Sequence, residues 1–223
     1  MPNSQPPLWF RLPPGYHNLD AIGATEIEQV SLAVLPLVLE NEQFVERAHT
    51  ELRTVLELIS RLDVDAGVHA SIGVHPDGEN GASVSLFSLS VKEIEARTPA
   101  LAAAQGALAV ANSSIWQAHT CRFIGLPAGV PAGLVVGLLA PPPVELLEHA
   151  GICAPVCEVF QARLTVPFPT GRHLAVADLT STATRHADSY ADILECIAGT
   201  MTFADPEMST APAPRHSRIL ELF

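Results

Sequence analysis

The chain is short of positive charge. Its 223 residues include 12 Lys and Arg against 24 Asp and Glu, a net charge of −12. Lys92 is the one lysine. Nucleic-acid binding needs Lys and Arg clustered to displace counterions from phosphates. Here the arginines are scattered, which excludes nucleic acid as a partner, and a membrane surface is disfavoured on the same ground. A Schiff-base or phosphate-binding lysine could only be Lys92, whose context Ser90-Val91-Lys92-Glu93 reads as a strand end turned to solvent.

Cysteine is scarce too. Cys121, Cys153, Cys157 and Cys196 show no Cys-x-x-Cys spacing, the pattern that redox and zinc sites use. They read as buried free thiols of a reducing cytoplasm. No Gly-x-Ser-x-Gly elbow occurs, and no Gly-x-Gly-x-x-Gly or phosphate-binding loop. Of the nine histidines, His69 and His75 share one strand face but stand roughly 20 Å apart at ~3.3 Å per residue, too far for a shared metal. His119 and Cys121 share a face without a glutamate placed to shuttle protons. The carboxylate pairs Glu26/Glu28, Asp63/Asp65 and Glu93/Glu95 lie near element ends and read as solvated. No metal site and no cofactor is expected.

A long apolar run is also missing. Phe123 to Val144 carries no charge, but Pro127, Pro131 and Pro141 to Pro143 interrupt it. A spanning helix needs about 20 continuous apolar residues. Only Ala132 to Ala140 is unbroken, which suits a buried strand. Met1 to Pro7 lacks the basic and apolar regions of a signal peptide. The expected location is therefore the cytoplasm, with no membrane partner.

What is present is apolar mass and pattern. The composition is 48% hydrophobic and 16% charged, the latter below the roughly 25% of an average domain. That supports a core without disulfides or metal. The abundance of alanine and proline fits a GC-rich bacterial genome.

Helical spacing of apolar residues predicts helices over about 25–39 and 41–62. Val68, Ala70, Ile72 and Val74 then alternate with His69, Ser71, Gly73 and His75. The turn Pro76-Asp77-Gly78-Glu79-Asn80-Gly81 follows, and Val84 to Val91 forms the second arm of a hairpin. A helix is predicted from Pro99 to about Asn112, capped by Thr98 with Pro99 at its first position. Strands are predicted over 115–124 and 133–139. A second long hairpin runs from Phe160 to Thr180. A helix capped by Asp188 carries Tyr190, Ile193, Leu194, Ile197 and Met201 on one stripe.

The expected organisation is an arm over 1–7, a single domain over 8–205, and a proline-rich tail over 206–223. The expected fold class is α+β: an antiparallel sheet of five or six strands built from long hairpins, with helices packed on it as in an α/β/α sandwich.

The hairpin from Phe160 to Thr180, followed by a single helix ending Ile197-Ala198-Gly199-Thr200-Met201-Thr202-Phe203, resembles the closing segment of PsbP-like α/β/α proteins. Phe10-Arg11-Leu12-Pro13-Pro14-Gly15 is similar to the opening of some actinobacterial proteins. The resemblance covers under half the chain and implies a non-catalytic binder or accessory factor. It carries over no functional residue.

The favoured function is a non-enzymatic accessory or adaptor protein that binds another protein. Its handle would be Ile219, Leu220, Leu222 and Phe223 on the tether from Pro206 to Pro214. Such a peptide can fill a partner groove or add a strand to a sheet edge. Trp9 and Phe10 form a second apolar site beside the arm. Each could instead fold back on its own domain, and the C-terminal peptide equally on a twin subunit, so a homo-oligomer stays open. Two other classes compete: a thiol-dependent enzyme at Cys121 served by a nearby histidine, and a small-molecule binder with a pocket between sheet and helices.

Overall fold

A computed structural model of the chain describes residues 7–18, 67–77, 82–94, 96, 98–114, 116–127, 129–139 and 158–205. The helices expected over 25–62, the turn tip 78–81, Cys153, Cys157, and most of the arm and all of the tail lie outside the described residues.

The alternation that predicts the first hairpin becomes β2 (Gly67–Pro76) and β3 (Ala82–Glu93). They pair antiparallel with Ile72 opposite Leu86, Gly73 opposite Ser85 and His75 opposite Ser83. Period two then sorts the side chains. Ile72, Val74, Val84 and Leu86 share the back face. His69, Ser71, Gly73 and His75 share the front face with Ser83, Ser85 and Phe87. On the far side of β2 lies β1 (Tyr16–Asn18), with Tyr16 opposite Gly73.

After β3 the chain enters α1 (Pro99–Ala111). Thr98 caps it, its hydroxyl accepting from the Leu101 amide at 3.2 Å, and proline opens the first turn. The helix crosses the back face of the sheet. Its small residues Ala102, Ala103 and Ala107 are buried there. The approach is close because residue 133 is glycine: a Cβ would stand 2.5 Å from that of Ala107. The chain then forms a meander of β4 (Trp116–Gly125), β5 (Pro131–Leu139), β6 (Val159–Pro167) and β7 (His173–Ser181). The meander runs back from the far edge until β7 pairs with β3, Phe87 facing Leu179.

A one-turn 3-10 segment (Thr184–His186) leads into α2 (Ala187–Ala198) on the front face. Asp188, expected as the cap, lies inside the first turn, and the cap position falls on His186 without a side-chain bond. The front core joins Phe87, Leu134, Phe160 and Leu164 to Tyr190, Leu194 and Ile197 of α2.

The expected fold class is corrected by this topology. The sheet has seven strands in the order β1-β2-β3-β7-β6-β5-β4. Among the described residues it carries only two α-helices. Among the described residues the fold is dominated by its seven-stranded antiparallel sheet, in place of the expected five- or six-stranded α+β sandwich. The extra strand escaped the sequence because three residues cannot display a period-two pattern. Among the described residues no helix is long and apolar enough to cross a membrane.

Candidate functional site

Two places on the fold collect chemistry, one buried and one exposed. The buried one lies on the front face, where β1, β2 and β3 run under α2. Ser85 Oγ lies 2.9 Å from Tyr16 Oη and 2.9 Å from His75 Nε2. Gly73 leaves the space for this meeting: a Cβ there would come within 2.7 Å of His75 Nε2, Ser85 Oγ and the Tyr16 ring. Tyr190 donates to Ser83 Oγ at 2.8 Å, and His75 stands edge-on to the Tyr190 ring at 5.6 Å. At the end of β2, the buried Asp77 accepts from His186 Nε2 at 2.6 Å and is ion-paired with Arg185.

Burial pushes the His75 imidazolium down to about 4, and the nearby His186 adds to the effect. Burial likewise raises the Tyr16 phenol, against the opposing pull of its bond to Ser85. A neutral histidine beside a serine hydroxyl has the form of a nucleophile and its base. The rest of that machinery is not assembled around it. Ser85 is 0% exposed in mid-strand. The carboxylate that could orient an imidazole, Asp77, holds His186 instead of His75. The network therefore ties β1, β2, β3 and α2 together through satisfied polar contacts. Sequence reasoning saw Asp77 only as a turn residue and Tyr190 only as core. The regular alternation of His and Ser over 69–75 was the available signal.

The exposed place is on the back face and at the sheet edge. Four large hydrophobic side chains are exposed among the described residues: Trp9 at 41%, Leu101 at 43%, Leu108 at 60% and Phe123 at 59%. Three of the four belong to α1 and β4. Phe123 lies opposite Gly133, the residue on which α1 packs, so its ring shares the face of α1. In β4 the successive residues His119, Thr120, Cys121, Arg122 and Phe123 are all exposed, so Cys121, like Cys196 of α2, is an exposed thiol and not the buried one expected. Arg122 turns to the front face and pairs with Glu195 of α2.

The residues expected to bind partners divide. Phe10 packs on Phe87 and His69, with ring centroids at 5.6 and 5.1 Å. Trp9 pairs through its backbone with Thr202 and leaves its ring partly in solvent. Ile219, Leu220, Leu222 and Phe223 lie outside the described residues. His119 and Cys121 share the back face of β4, as expected, but no hydrogen bond joins them among the described residues, and the His119 ring stands 6.1 Å from Trp116. No group of three or more His, Cys, Asp or Glu among the described residues could hold a metal. The chain matches no protein-family model and no curated protein.

Proposed function

We propose that this chain is a non-enzymatic accessory protein that acts by binding another protein, and that the docking surface is the uncharged face of α1 together with edge strand β4. One observation carries the reading: among the described residues, three of the four exposed large hydrophobics belong to these two neighbouring elements. Apolar surface grouped in this way marks interaction sites, whereas singly scattered residues need no explanation. An exposed sheet edge adds main-chain donors and acceptors that can pair with an extended segment.

The test is affinity capture from the native host with four baits: the full chain, the chain ending at Pro214, Phe123→Glu and Leu108→Glu. The expected result is a partner held by the full chain and the truncated chain and lost from both substituted baits. A partner held only by baits that keep residues 215–223, whatever stands at 108 and 123, would place the handle in the tail and sink the surface assigned here. The thiol-enzyme alternative has less support, since Cys121 lies on an exposed edge strand without a hydrogen-bonded base among the described residues.

A further inference from the structure

Resting on that reading, we infer that the partner at this surface is a second copy of the chain, joined through β4 about a two-fold axis perpendicular to the sheet. Charge comes first. From Thr98 to Pro143 the sequence carries a single formal charge, Arg122, in a chain of net charge −12. Two copies meeting across acidic stretches of the surface bring like charge together, which opposes association. Here they meet without that cost, and Arg122 is already paired with Glu195 of its own chain.

The edges of the sheet come second. β4 is a ten-residue edge, and its one irregularity lies at its start, between Trp116 and Ala118. The exposed run from His119 to Phe123 has no lysine, proline or bulge, the usual devices that block edge pairing. The opposite edge, β1, is three residues long. Head-to-tail growth from β4 onto β1 therefore has little backbone to pair with. Pairing β4 with its own copy uses the same patch twice and closes.

Register comes third. Centring the two-fold on Arg122 would oppose two guanidinium groups, which is unfavourable across strands. Cys121 is the midpoint of the exposed run. Centring there pairs all five residues: Cys121 with its copy, Thr120 with Arg122, and His119 with Phe123 on both sides of the axis. Rotation about the sheet normal preserves the faces, so both α1 helices and both Phe123 rings come to one side of the seam.

The experiment is sedimentation of the full chain over a wide concentration range, followed by mild diamide oxidation and mass spectrometry of the linked peptides. The expected result is a concentration-dependent dimer that Phe123→Glu and Leu108→Glu convert to a monomer that still unfolds in one cooperative transition, with a Tm that no longer rises with concentration. Oxidation should give a Cys121–Cys121 peptide, lost in Cys121→Ser and kept in Cys196→Ser. Directly opposed antiparallel residues stand about 4.5–5.5 Å apart at Cα, within disulfide range. A monomer at every concentration overturns the inference. The broader reading survives that outcome if the same two substitutions still release a different captured protein. A dimer that ignores both substitutions, or that never links through Cys121, also overturns it.

Discussion

At the scale of single residues, the partly buried His75 makes a measurable claim. It is faced by Tyr16 from β1, Ser85 from β3, and Tyr190 and His186 from α2 and its leading turn, with Arg185 on Asp77 beside them. Its folded value of about 4 lies below the 6.5 of the unfolded chain. Above pH 6.5 both states are neutral and the stability is intact. Between 6.5 and 4 the unfolded chain takes a proton that the folded chain refuses, so stability falls as pH falls. The loss between pH 7.5 and pH 5 is about 2 kcal/mol. Urea midpoints at the two pH values check this, and His75→Asn should remove most of the difference. An unchanged difference in that variant would mean that the acid sensitivity comes from other groups.

At the scale of elements, the sheet is joined by polar pairs as well as apolar ones. On the back face Arg163 of β6 lies opposite Asp178 of β7 and donates to it twice, at 2.6 and 2.9 Å. Both side chains are largely buried. Truncating one partner strands the other, so Asp178→Ala should destabilise the fold by about 3–5 kcal/mol. Replacing both with apolar residues of similar volume should recover much of that loss, as thermal melts of the single and double variants can show. The cap of α1 makes a smaller contribution. Thr98→Ala removes the acceptor for the Leu101 amide and should cost about 1 kcal/mol, read as a lower urea midpoint with an unchanged slope. The elements with strong patterns were legible in the sequence. Both arms of the first hairpin, α1 with its cap, and the hairpin from Phe160 onward all appear where periodicity put them. The start of α2 was misplaced because a 3-10 turn comes first, drawn toward Asp77 by Arg185 and His186. That contact spans more than a hundred residues and leaves no local trace.

At the scale of the whole molecule, the order of the strands creates both candidate places. Because β3 pairs with β7 instead of β4, the chain must cross the back face, and α1 makes that crossing. The same order leaves β4 at an edge. The strand predicted over 115–124 thus becomes a margin of the sheet, exposed from His119 to Phe123. In the sequence the histidines and serines over 69–75 simply alternate with apolar residues. Ser71, Ser83 and Ser85 are buried and His69 and His75 partly so, because the segment from Leu8 to Tyr16 and α2 pack over that face.

The hairpins, the capped helix and the absence of recognisable catalytic motifs are legible along the chain. Those follow from periodicity, turn chemistry and residue spacing, all of which act within a few residues. Which face of each strand meets water, which strand ends the sheet, and which of the nine histidines meets a serine, a tyrosine or an aspartate are settled by the packing of distant segments. These depend on pairings between segments up to about two hundred residues apart, such as Trp9 with Thr202. Alternation says that two faces differ in polarity; what lies against each face is set by distant parts of the chain.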